Sequence, residues 1–212
     1  MTDTRRLIAL AALALAPGYL NDFLNMRASG AVEWLAADYG SKLLTLALIL
    51  ALPDLRGAVA GAWNGRGLRA RPAADTAAWT LMSAAMIYGA FIYIKPDLDV
   101  LAPGWKLFTF PAIDDPDILA FDLTAGLALT AVAEELGFRA LLKTVIERVT
   151  DNRGALVAGS ALLFALIHWS NGLGNMAVAF VAGVALMALY LRTGSLWPCV
   201  AAHYAVDFLL FA

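Results

Sequence analysis

Charge is scarce in this chain. Lysine, arginine, aspartate and glutamate make up 15% of its 212 residues. An ordinary soluble domain carries roughly 25% charged residues. The net charge is only −2, so neither charge sign dominates and nothing points to nucleic acid or another polyanion as a partner. Cysteine is almost absent: Cys199 stands alone in an apolar run. A disulfide within the chain and a metal–thiolate cluster are both excluded. Cys199 reads as a small buried apolar residue. Histidine occurs twice, as His168 and His203. Neither end carries a lipidation motif.

What the chain has in abundance is apolar sequence, 61% of all residues. A spanning helix requires about 20 mainly apolar residues. About seven windows fit: 7–24 with a kink expected at Pro17, 34–52, 76–94, a long one at 118–146, then 155–169, 176–191 and 196–211. The first window follows Arg5 and Arg6 and is read as a retained membrane helix, since many spans follow it. The expectation is an all-α, polytopic transmembrane helix bundle, one domain over residues 1–212, with the lipid bilayer as its solvent.

The loops supply an independent check, because Lys and Arg favour the cytoplasmic side. Arg5 and Arg6, then Arg56, Arg66, Arg69 and Arg71, then Lys143, Arg148 and Arg153, then Arg192 all fall on one face of an alternating path. The other face receives Asp97, Asp99, Asp114, Asp115 and Asp117 and the uncharged turn 170–174. This predicts a cytoplasmic N-terminus and an odd number of spans. Small loops and the absence of a soluble domain suit a prokaryotic plasma membrane. The loop 95–117, with Trp105, Phe108 and Phe110, reads as an interfacial aromatic belt, with a substrate gate as the alternative. The basic stretch 56–71 sets topology or contacts anionic lipid.

A charge at the bilayer centre costs roughly 2.5–3.5 kcal/mol or more, so charged residues inside apolar windows need a reason. Glu134, Glu135 and Arg139 lie in the fourth window, His168 in the fifth, His203 and Asp207 in the seventh. Glu135 with Arg139, Phe164 with His168, and His203 with Asp207 are each four apart, on one helical face. At about 1.5 Å per residue, Glu134 and His168 both lie roughly 20 Å from the hairpin that joins their helices. His203 and Asp207 lie roughly 12 and 18 Å above Ser195. One buried polar cluster between three helices is therefore expected. Two carboxylates and two imidazoles can activate water, since a carboxylate of low-dielectric surroundings is a stronger base. Imidazole N–H groups can stabilise an oxyanion, and Arg139 would fix Glu135. A structural network that locks the helices together, and a proton or ion pathway as in a transporter, are the other readings of the same residues.

Glu134-Glu135-Leu-Gly-Phe-Arg139 is E-E-x-x-x-R, Phe164 to His168 is F-x-x-x-H, and His203 to Asp207 is H-x-x-x-D. In this order, on separate membrane helices, they resemble the CPBP family, also known as the CAAX protease and bacteriocin-processing or Abi family. The resemblance covers about 118–212, the expected catalytic core. It implies a CAAX-protease-like helical core and an intramembrane endopeptidase acting on a membrane-associated peptide or protein tail. By position, Glu134 would be the general base with His168 as its partner. His203 and Asp207 would form the oxyanion site, with Glu135 and Arg139 as an orienting pair. Related endopeptidases often have Asn where this chain has Asp207. An ionised carboxylate cannot donate to an oxyanion, so Asp207 is either protonated or orients His203, and the second is favoured. The resemblance implies a metal-free, glutamate-type mechanism with no cofactor. Glu134, His168, His203 and Asp207 would be the ligands of a zinc-dependent variant. A non-catalytic bacteriocin-immunity or binding protein is the alternative outside enzymes. Signal-like peptides, bacteriocin precursors and C-terminal sorting tails are the substrate classes that suit a prokaryotic membrane.

Overall fold

A computed structural model describes residues 3–63 and 72–212. Arg66, Arg69 and Arg71 of the basic loop lie outside the described residues. The helical stretches are α1 Thr4–Asn25, α2 Ala31–Ala51, α3 Pro53–Val59, α4 Ala73–Tyr93, α5 Lys95–Leu101, α6 Pro116–Ile146, α7 Arg153–Leu166, α8 Leu173–Thr193 and α9 Leu196–Phe211. No β-strand occurs among the described residues.

Among the described residues five helices are long and apolar enough to cross a membrane: α1, α2, α4 continuing into α5, α6 and α8. α7 and α9 are shorter apolar helices. Together they account for the seven windows, and the chain is an integral membrane protein of all-α architecture. α1 runs through Pro17 without ending. α7 stops at Leu166, earlier than the apolar window suggests. Hydropathy continues through Trp169, but the following Ser170-Asn171-Gly172 turns the chain, and Gly172 has a left-handed φ of 97°, where a side chain would be strained.

The helix order brings loops together at each end of the bundle. At one end Arg6 pairs with Asp54 at 2.9 Å and Arg192 with Asp75 at 2.9 Å. Leu196 N–H donates to the Ala62 carbonyl there, and Trp63 packs on Trp197. At the other end Gly174 N–H donates to Asp99 and Ser170 N–H to Asp22. Leu107 and Phe108 N–H both donate to the Ser170 carbonyl, and Phe110 packs among Trp34, Phe108 and Phe211. The loop before α6 is thus folded over that end of the bundle.

α6 is interrupted twice by π-helical turns, Asp122–Gly126 and Leu136–Leu141. Such turns insert a residue into the hydrogen-bond ladder and often occur at functional sites. Neighbouring helices supply hydroxyl donors to both. Tyr204 on α9 donates to the Leu123 carbonyl, and Ser160 on α7 donates to the Phe138 carbonyl at 2.7 Å. α7 and α8 pack closely through small residues. A Cβ at Gly183 would fall 2.5 Å from the Ala161 Cα, the close approach that small side chains permit between membrane helices.

Candidate active site

Glu134 and Glu135 are adjacent, so α6 points them in different directions. Glu135 is wholly buried, while Glu134 keeps 13% of its side chain exposed and lines a cavity. The second π turn begins directly after Glu135 and carries Arg139. Despite that change of helical phase, Arg139 Nε lies 3.0 Å from Glu135 Oε2, both side chains having no exposed surface. The contact is an ion pair without hydrogen-bond alignment. The Arg139 guanidinium sits over the face of Phe164, 4.3 Å from its centroid, where the ring's negative face attracts a cation.

Phe164 explains the spacing of its motif. Its ring lies 5.3 Å from the His168 ring and 6.1 Å from the His203 ring, edge-on to both. It also packs against Phe138 of the π turn. One aromatic side chain thus packs against both imidazoles and covers the Arg139 cation. His168 itself is not in a helix. It sits in the turn just beyond α7, with its N–H donating to the Ala165 carbonyl and its own carbonyl accepting from Asn171. Its ring still lines the cavity.

His203 is the centre of the charged cluster. Its Nδ1 is 2.8 Å from Glu135 Oε1. Its Nε2 is 3.3 Å from Asp207 Oδ2 and 3.7 Å from Glu134 Oε2. Each ring nitrogen therefore has a carboxylate beside it. Glu134, Glu135, Arg139, His203 and Asp207 form one connected group. His168 faces the same cavity, but no hydrogen bond or ion pair joins it to Glu134 among the described residues.

The cavity has a volume of about 230 Å³, many times the roughly 10–15 Å³ that one water requires. Its wall also holds polar groups from α1 and α2: Asn21, Asp22, Asn25, Asp38 and Lys42. Asp38 accepts from Lys42 at 2.5 Å and from Asn21 at 2.9 Å. Asp122, which also lines the cavity, accepts from Tyr39 at 2.6 Å. Asn171 is a further lining residue. Sequence reasoning missed the α1 and α2 groups, although the signal is the one that marks Glu134. Asp22 lies in the first apolar window, Asp38 and Lys42 in the second. Those windows carry none of the recognisable motifs, so nothing in them ties a charge to the site.

Among the described residues no group of three or more His, Cys, Asp or Glu is arranged to hold a metal ion. The four candidate zinc ligands share the cavity wall instead, with His203 engaged by carboxylates on both nitrogens.

No curated protein and no solved structure matches the chain. Residues 116–209 match the family model described as type II CAAX prenyl endopeptidase Rce1-like. That segment contains Glu134, His168, His203 and Asp207, which line the cavity, and the buried pair Glu135 and Arg139. Over residues 116–209 the chain is similar to the type II CAAX prenyl endopeptidase Rce1-like family.

Proposed function

We propose that the protein is an intramembrane endopeptidase of the glutamate type, cleaving a membrane-associated peptide or protein tail without a metal. Glu134 takes the proton of a cavity water as that water attacks the scissile carbonyl. His168, on the same wall, holds the water or the carbonyl in line. Glu135 and Arg139 fix His203 from one side, and Asp207 holds it from the other. His203 in turn faces Glu134 and sets its position. The observation that carries this reading is the division of labour between adjacent carboxylates. Glu135 is sealed against Arg139 and His203, whereas Glu134 reaches the cavity. A purely structural network would not require one carboxylate to face open space.

The test is cleavage of a pool of membrane-tethered peptides, including prenylated C-terminal tails and signal-like peptides. Wild type, Glu134→Gln and His168→Ala are compared at matched, folded levels. Products made by wild type and lost in both variants support the protease and identify its substrate class. If a folded wild type cleaves no member of the pool, or Glu134→Gln still cleaves, the reading fails.

A further inference from the structure

Lys42 lies on α2, outside the segment that matches the family. Among the described residues it is the only lysine or arginine that lines the cavity; Asp22, Asp38, Asp122, Glu134 and Asp207 line it too. An ammonium in such a place needs an anchor, and it has one. Asp38, one turn earlier on α2, accepts from Lys42 Nζ, and the Asn21 amide holds the same Asp38 oxygen from α1. Lys42 lines the same cavity as Glu134 and Asp207. α2 packs directly against α6, so the pair is carried by the helix that flanks Glu134.

An ammonium has three N–H groups. Among the described residues Lys42 uses one, on Asp38. Among the described residues the imidazole beside Glu134 that no carboxylate engages is His168, and it already holds the water or the carbonyl in line. Asp207, when ionised, only accepts. The two nitrogens of His203 are turned to Glu135 and to Asp207 with Glu134.

Resting on the reading that Glu134 activates water, we propose that Lys42 is a further catalytic residue, whose ammonium donates to the oxyanion formed on the scissile carbonyl. The step balances. The water oxygen bonds to the carbonyl carbon and its proton passes to Glu134. The carbonyl π electrons move to the oxygen, which becomes the oxyanion facing Lys42. On collapse the C=O bond re-forms, the C–N bond breaks, and Glu134 returns the proton to the leaving nitrogen. Lys42 keeps its own protons throughout and contributes only where negative charge develops, the condition for lowering a barrier.

The experiment uses the full chain in liposomes and the peptide cleaved best from the pool. Removing one oxyanion donor slows turnover by about 100- to 1000-fold. Lys42→Met is expected to lose kcat by that factor, with KM changing far less, and Lys42→Arg to retain more activity than Lys42→Met. A merely structural Lys42 would behave otherwise: Asp38→Asn in the Lys42→Met background removes the orphaned charge and would restore activity. That pattern overturns the proposal, as does a folded Lys42→Met enzyme with unchanged kcat. Unfolding midpoints in detergent identify folded variants, and the Asp38→Asn/Lys42→Met pair serves if Lys42→Met alone does not fold. Loss of the inference leaves wild-type cleavage and its Glu134 dependence intact. Absence of wild-type cleavage overturns the protease reading and this proposal together.

Discussion

Removing Arg139 alone should be among the most damaging single changes in this molecule. Arg139 and Glu135 have no exposed side-chain surface and lie 3.0 Å apart. Taking away one member of a buried pair strands the other charge, at a cost of about 3–5 kcal/mol. Arg139→Leu also loses the contact with the Phe164 face, a cation–π interaction of about 2 kcal/mol when desolvated. These terms overlap, so the expected loss is about 3–5 kcal/mol rather than their sum. A folded domain commonly has only about 5–15 kcal/mol in hand. The companion is Glu135→Leu/Arg139→Leu, which removes both charges. It still forfeits the 2.8 Å contact from Glu135 to His203, a charge-assisted hydrogen bond of about 1.5–3 kcal/mol. The double variant should therefore be less destabilised than Arg139→Leu and more so than wild type. Equilibrium unfolding in mixed detergent micelles measures both. An Arg139→Leu loss below about 1 kcal/mol would mean that the pair is not desolvated and that α6 does not seal it from water. A double variant as damaged as the sum of the singles would refute the charge-stranding argument in the same way.

Other outcomes follow from the same geometry. Gly183→Val should destabilise the α7–α8 packing by about 1–3 kcal/mol through overpacking, read as a lowered unfolding midpoint; a neutral result would show that the helices can part. Asp207→Ala should slow turnover roughly ten- to a hundredfold by releasing His203, the equivalent of one charge-assisted hydrogen bond, with little change in KM. Tyr39→Phe should cost about 1 kcal/mol or somewhat more, because Asp122 loses a 2.6 Å donor at a half-buried site; hydrogen exchange at the start of α6 would report it. Dialysis against a strong chelator should leave cleavage unchanged, and stoichiometric zinc with chelator-sensitive activity would refute the metal-free reading.

Much of this protein is determined by its sequence taken alone. Long apolar windows with few charges have one solution in lipid, a bundle of helices whose backbone bonds are satisfied within each segment. The isolated charges in those windows are conspicuous because burying them is costly, so Glu134, Glu135, Arg139, His203 and Asp207 stand out from the residue pattern itself. Their four-residue spacing already pairs Glu135 with Arg139 and His203 with Asp207, because that interaction is local to one helix. Tertiary structure decided the rest. A regular helical period cannot show that Glu135 is sealed and Glu134 open, because that depends on which helix packs against which face and on a π turn that shifts the phase. Hydropathy cannot end α7 at Leu166, because Ile167 to Trp169 continue its apolar window. Nor can it place Lys42 on the cavity wall: nothing local ties α2 to Glu134, and only the packing of distant segments brings both to one cavity.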